Sequence, residues 1–506
     1  MSGERAQPDA PSRSWIATVL RKAFHHTAIY GVSVSLLPLT SFVLLPVYTR
    51  SLGAETFGLL ALFMVTSGIL SFLYDFGMIN ALFRRYFEHP AEADQHRKRV
   101  LSTAWSFMAL HALFWTLVLA GCVAWVPAIG RSAALSKVAW LMLVSTLVNS
   151  WTDVPMAVLR IRGRVATFAA VSCVRSAALV LMTWWLVMGA QRGLAGVFEA
   201  SLLVGVGSLG LLVALTAREY AIGMSWRELK AMLAFGVPFF PVLFFTWIID
   251  FSDRYFLGTL STLQEVGVYT VGYKIGQVVL LAVKAFMVAW IPLMFSIARE
   301  ARAPEAFAKV FRYYVFGLGL LSLTLLLWSP ELVRLVAAPG YERSAQIVPL
   351  VVIAYACYGL YSFMLSGLLV AKDVWVQPLT LAACALLNAF LNWWWIPLMG
   401  MWGAAWSTLL SYGIAATVTW AAAQRRYRIP IDGIALYGTA VLTLGGWALA
   451  SGLHLPQTGK VLILLAYGLV FVALGWLTPA GWQELRAVVG ARRRTVVAAD
   501  MALAEK

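Results

Sequence analysis

The chain has 506 residues, 61% of them hydrophobic and only 12% charged, with a formal net charge of +16. An ordinary soluble domain carries roughly 25% charged residues, and a soluble core of this length needs more polar surface than this chain offers. The cations lie between apolar blocks, so the positive balance reads as the marking of cytoplasmic loops, and no nucleic-acid partner is expected.

The apolar blocks run for about 18–28 residues, long enough to cross hydrocarbon as helices. Backbone in lipid must satisfy its own hydrogen bonds, which leaves helices or a closed barrel. Period-2 alternation is absent, so the expectation is an all-α polytopic membrane protein of about 14 transmembrane helices.

In chain order, residues 1–26 form a polar N-terminal tail. No small-residue cleavage site follows the first apolar segment, which is therefore expected to stay as an anchor. Spans are predicted at 27–49, 57–83, 100–126, 138–159, 165–188, 193–217, 231–252, 266–297, 311–329, 346–371, 375–396, 402–423, 434–452 and 460–478. A tail follows from 479. With the N-terminus inside, the inner segments hold 28 Lys and Arg, counting Arg312 at the inner edge of its span, the outer ones 8, counting Lys460 at the outer edge of its span, and 3 lie deeper within spans. That alternation orients the chain with both termini cytoplasmic. Trp393, Trp394 and Trp395 read as an interfacial belt. The cysteines at 122, 173, 357 and 384 lie in apolar spans at spacings that match neither a metal site nor a disulfide framework. No cofactor or metal is expected.

Two stretches resemble each other. Leu37–Pro38 and Pro46 lead into Arg50, then Leu52–Gly53, then Glu55 shortly before Gly58. Gly236–Val237–Pro238 leads into Asp253–Arg254, then Leu257–Gly258, then Glu265 shortly before Gly267. Six spans separate the copies, so both have the same orientation. That predicts parallel six-helix lobes at 27–217 and 231–423, joined by a linker at 218–230, around a central cavity, with 434–478 as two added helices. Pro38, Pro46, Pro155, Pro238, Pro241 and Pro292 lie in spans and are expected to bend them.

Ionisable groups at bilayer depth are costly and mark function by default. At about 100° per residue, Thr270, Lys274, Gln277 and Lys284 form one polar stripe on an apolar helix, as expected beside a wet cavity. Its cations suit a pyrophosphate; an alternative for Lys274 is snorkelling to an interface. Aligning Gly58 with Gly267 places Asp75 opposite Lys284, and the two are expected to pair in one state. Arg175 and Glu199 read either as an ion pair or as separate elements, Arg175 lining the cavity. Glu199, Asp153 or Asp250 could carry a coupling ion. Asp253–Arg254 reads as a charge pair at the outer end of span seven. Arg84 and Arg85 end span two, where they either greet a headgroup or anchor the cytoplasmic face.

The segment Leu45–Pro46–Val47–Tyr48–Thr49–Arg50–Ser51–Leu52–Gly53–Ala54–Glu55–Thr56–Phe57–Gly58 resembles the opening signature of bacterial Wzx-type polysaccharide-repeat flippases, as does Tyr74–Asp75–Phe76–Gly77–Met78. Phe235–Gly236–Val237–Pro238, Asp253–Arg254–Tyr255–Phe256–Leu257–Gly258, Val266–Gly267–Val268–Tyr269 and Tyr273–Lys274 resemble the start of their second half. The resemblance implies the multidrug/oligosaccharidyl-lipid/polysaccharide exporter superfamily. It further implies movement of an undecaprenyl-pyrophosphate-linked oligosaccharide between leaflets, beside glycosyltransferases and a polymerase of the same pathway. Proton or sodium coupling is an expectation from the family alone. Competing readings are a lipid II flippase, a cation or drug antiporter, which the lysines disfavour, and a membrane polymerase. The outer connections are short and no Asp-x-Asp or His-Glu-x-x-His occurs, which disfavours an enzyme.

Overall fold

The computed structural model describes residues 39–88, 94–123, 132–221, 223–298, 303–373 and 375–474, and the two predicted tails, Pro38 and most of the first span lie outside them. The described residues are helical, without strands. The helices are α1 (Leu45–Asp75), α2 (Met78–Glu88), α3 (Asp94–Val123), α4 (Ala133–Trp151), α5 (Asp153–Ile161), α6 (Val165–Trp184), α7 (Gly193–Thr216), α8 (Trp226–Gly236), α9 (Phe240–Leu260), α10 (Leu263–Ile297), α11 (Ala303–Leu327), α12 (Ser329–Val336), α13 (Val348–Val370), α14 (Val376–Met399), α15 (Met401–Arg426), α16 (Gly433–Gly452) and α17 (Gln457–Ala473).

Among the described residues, ten helical segments are long and apolar enough to cross a bilayer, and α8 with α9, bent by 47°, makes an eleventh. These match predicted spans 2 to 11 and 13. The predicted span at 402–423 coincides with α15, whose buried face carries Ser407, Thr408, Ser411 and Thr419 and which falls below that apolarity. The last coincides with α17, which has 17 residues. The first and second predicted spans meet inside one helix. Gly53 marks the junction, a kink within α1 with φ 69° and ψ 167°, a conformation glycine adopts without Cβ strain.

Among the described span prolines named above, all but Pro292 stand at or just after a break in a helical run. Pro46 follows the turn at Leu44 that ends helical residues 39–43, Pro155 follows Thr152, and Pro238 and Pro241 lie at the 47° bend. Pro46 and Pro155 thus stand in the first turns of α1 and α5. A missing N–H costs little in a first turn, because that donor has no intrahelical acceptor. Pro292 alone of these lies inside a helix, α10. The elbow before α9 follows a local signal: Ser225 caps α8 through the N–H of Glu228, as in a capping box, and Gly236–Val237–Pro238 ends it.

The chain forms two compact units. The described part of the larger comprises residues 39–284 and 324–429. Within it α13, α14 and α15 pack together, α9 packs on α14 and α1, and α4 packs on α3 and α7. One core joins α2, α3, α5 and α8 through Leu82, Val100, Ala104, Val154, Leu229 and Met232. Polar connections are tied down at the same end: Glu219 accepts from Arg162 at 2.6 Å and Arg164 at 2.9 Å, and Arg162 also reaches Asp94.

The smaller unit comprises 285–323 and 430–474 among the described residues. Its α16 is capped by Asp432, which also pairs with Arg312 at 3.3 Å. Phe316 stacks against Tyr467 and Phe471, and the Tyr467 hydroxyl donates to the Phe316 carbonyl at 3.1 Å.

Candidate functional site

On the α10 stripe, Lys274 and Gln277 meet polar groups of other helices or segments, and the Thr270 hydroxyl bonds back to Val266 O within its own helix. Lys274 Nζ donates to Ser41 Oγ at 3.0 Å. Gln277 Nε2 lies 3.5 Å from the Tyr355 hydroxyl. Lys284 is exposed, yet its ammonium acts electrostatically on Asp250.

Asp250, on α9, is the centre of a buried polar cluster. Its Oδ1 accepts from the Tyr412 hydroxyl at 2.6 Å and the Tyr355 hydroxyl at 3.2 Å. Tyr355 and Tyr273 join through their hydroxyls at 2.9 Å. One turn along α9, Arg254 donates to the Asp250 carbonyl and to Asp253 Oδ1, and its guanidinium lies 3.9 Å from the centre of the Tyr273 ring. The Tyr269 hydroxyl donates to Asp253 Oδ2. A buried charge away from water needs such partners. The Asp253–Arg254 pair is therefore not a helix-end anchor. It lies within α9, fully buried, because the helix continues to Leu260.

Sequence reasoning missed the tyrosines. Tyr355, Tyr358 and Tyr361 recur every third residue on α13, and Tyr358 packs on Tyr412 with ring centres 5.2 Å apart. That spacing was a readable signal of one aromatic, hydroxyl-bearing face.

A second polar group lies on α1, α4, α5 and α6. Arg175 donates to Thr152 Oγ1 at 3.0 Å and to Asn149 Oδ1 at 2.7 Å. Thr152 is the break between α4 and α5, so the guanidinium reads a helix end, and Asp153 beside it lies within electrostatic range of Arg175 and Asp75. Asp75 accepts from the Ile79 N–H at 3.0 Å and so caps α2. Glu199 is not the partner of Arg175. It pairs with Lys137 at 3.1 Å and lies 4.0 Å from Arg192.

The expected Asp75–Lys284 pair does not form in this structure: each has the partners just named. Arg84 and Arg85 stand apart from both groups, bound by Glu88, with Arg85 also held by Glu228. Among the described residues no cluster of three His, Cys, Asp or Glu is arranged to hold a metal ion.

The profile of the polysaccharide biosynthesis protein family matches residues 23–298. No curated protein matches the chain. Among solved structures it is similar to the lipid II flippase MurJ in an inward closed conformation, with a TM-score of 0.68 and 13% identity over 92% of this chain and 99% of that one. It is similar also to an inward-facing multidrug resistance MATE transporter of the MOP superfamily, with a TM-score of 0.64 and 14% identity over 78% and 98% of the two chains. A mutant of the Vibrio cholerae MATE transporter VcmN gives a TM-score of 0.58 and 16% identity over 81% and 97%. At such identities the likeness is one of fold. The family match extends over more than half of the sequence and the fold over most of it, and the chain belongs to the polysaccharide biosynthesis protein family.

Proposed function

We propose that the protein is a flippase that carries undecaprenyl-pyrophosphate-linked oligosaccharide repeat units from the inner to the outer leaflet of the bacterial inner membrane, by alternating access. Both termini are cytoplasmic in this reading, the lobes are 27–217 and 231–423, and the glycosyltransferases and polymerase of the pathway work alongside it.

The observation that carries the proposal is Lys284. It is exposed near the middle of a 35-residue apolar helix, yet it lies within electrostatic range of Asp250, the carboxylate that Tyr355 and Tyr412 bind. A lysine facing lipid at that depth costs about 2.5–3.5 kcal/mol on insertion scales. A wet cavity removes the cost, and a point charge there suits a diphosphate. Gln277 and Lys274 extend the lining along α10, and Arg175 with Asp75 and Asp153 supplies charge from α6, α1 and α5. The family match supports a role in making surface polysaccharide, and the fold supports transport.

The test is restoration of surface polysaccharide in a strain lacking the gene. Lys284→Met should abolish it with membrane abundance unchanged, and Lys284→Arg should retain most of it. Normal polysaccharide with Lys284→Met would exclude this site. The likeness to MurJ supports lipid II as a second substrate reading. Rescue of growth in cells depleted of their own lipid II flippase would favour it over the oligosaccharide.

A further inference from the structure

Helix α2 is amphipathic. Met78, Ala81, Leu82 and Tyr86 enter the core, while Arg84 and Phe87 are exposed. It leaves α1 at Phe76–Gly77, both with positive φ, and this elbow presses on the α8–α9 elbow. A Cβ on Gly77 would come 2.3 Å from the Gly236 carbonyl oxygen, and one on Gly236 2.8 Å from that of Gly77. The two elbows thus lock α2 and α8 side by side, and Leu229 and Met232 of α8 share the α2 core. Between them lies a cavity of about 290 Å³, with Ala81, Ala231, Ala234 and Phe235 as its apolar lining and Arg84, Arg85 and Glu88 as its charged lining. That volume is near the lower end of ligand pockets, roughly 300–1,000 Å³.

The lining charges have unequal roles. Arg85 Nε and Nη2 donate to the two oxygens of Glu228 at 2.7 and 3.2 Å. The Glu228 side chain is 9% exposed, so this bidentate pair is part of the packing. Glu88 is different. One of its oxygens accepts from Arg84 Nε at 2.8 Å and the other from Arg85 Nη1 at 2.9 Å. Two guanidinium groups converge on one anion, and that anion is 39% exposed at the last residue of its helix. Arg84 is held in place from the other side by the Phe235 ring, 4.3 Å away. With Glu88 turned outward, two arginines and one buried carboxylate remain beside a cavity with an apolar lining.

We infer that this pocket binds the phosphate of a lipid headgroup, with Glu88 as the internal anion that the phosphate displaces. The alanine and Phe235 lining takes the adjoining apolar part of the lipid, and Glu228 keeps Arg85 oriented throughout. The phosphate belongs either to the prenyl diphosphate of the substrate, which rests on the function proposed above, or to a bulk anionic phospholipid.

The experiment uses the full chain in phosphatidylcholine nanodiscs and titrates inorganic pyrophosphate. Glu88→Gln should tighten binding about tenfold, because each charge-assisted hydrogen bond to Glu88 no longer competes. Arg84→Gln should weaken it by a similar factor. Wild-type binding in Glu88→Gln, or in Arg84→Gln, would overturn the site, as would failure of both lipids to displace pyrophosphate. Displacement by undecaprenyl pyrophosphate at lower concentration than by phosphatidylglycerol assigns the pocket to substrate, and the reverse order assigns it to bulk lipid. Binding is read without transport, so a failed Lys284 test leaves this result standing and the converse holds.

Discussion

Gly58 and Gly267 touch backbone to backbone, and the contact is reciprocal. A Cβ on Gly58 would lie 1.8 Å from the Leu263 carbonyl oxygen, and one on Gly267 would lie 2.2 Å from that of Ala54. Gly58 and Gly267 are the residues that the internal repeat aligns. Ala54 and Leu263 stand at the same offset, each four residues earlier. Residue i meets the counterpart of j, and j meets the counterpart of i, which is the signature of an isologous contact about a two-fold axis. Small residues are needed there because two helix backbones cannot approach so closely past a side chain.

Replacing either glycine should therefore force the helices apart. Gly58→Ala or Gly267→Ala is expected to destabilise by about 1–3 kcal/mol, as overpacking does, and to lower polysaccharide export. The measurement is the melting temperature in detergent beside the export assay. A neighbouring substitution, Gly53→Ala, acts through its positive φ rather than a clash, since nothing lies within 4 Å of its missing Cβ.

The Asp253–Arg254 pair should behave as a buried unit. Arg254→Met leaves a buried carboxylate without a cation, bound by the Tyr269 hydroxyl and the backbone N–H of residue 254, and is expected to cost about 3–5 kcal/mol. The double variant Asp253→Asn with Arg254→Met should be more stable than Arg254→Met alone. Thermal unfolding of the three proteins checks this, and equal losses in single and double variants would count against it.

Of the three carboxylates proposed for ion coupling, Glu199 and Asp250 differ sharply in their surroundings. Glu199 pairs with exposed Lys137, an arrangement worth about 0–1 kcal/mol, so Glu199→Gln should export at the wild-type level. Asp250→Asn keeps an acceptor for Tyr412 and Tyr355 but removes the charge within electrostatic range of Lys284. It is expected to fold normally and lose most export. Ion-gradient-driven transport in proteoliposomes distinguishes the two.

Arg175 serves two acceptors from two separate nitrogens, Thr152 from Nη1 and Asn149 from Nη2, whereas a lysine ammonium offers its donors from a single nitrogen. Arg175→Lys should reduce export several-fold with membrane abundance retained. Arg175→Met should reduce abundance as well, because the Asp153 charge loses its nearby cation. Quantitative immunoblotting of membranes beside the export assay reads both effects.

The sequence by itself determined the class of molecule, the helical segments and the internal repeat. Hydropathy is a local property that about twenty residues settle with the bilayer, so the segments of spans 2 to 11 and 13 could be read one at a time. The glycines of the repeat were legible because only Gly tolerates close backbone approach. Tertiary structure decided which polar groups meet. Arg175 finds Asn149 and Thr152 rather than Glu199, Asp75 caps α2 rather than meeting Lys284, and Asp250 gathers tyrosines from α13 and α15. Such partners are chosen within about 4 Å, whereas a shift of one residue turns a helix face by about 100°. The depth of a charge in the membrane is thus written along its own helix, but its partner depends on how other helices, distant in the chain, are rotated toward it.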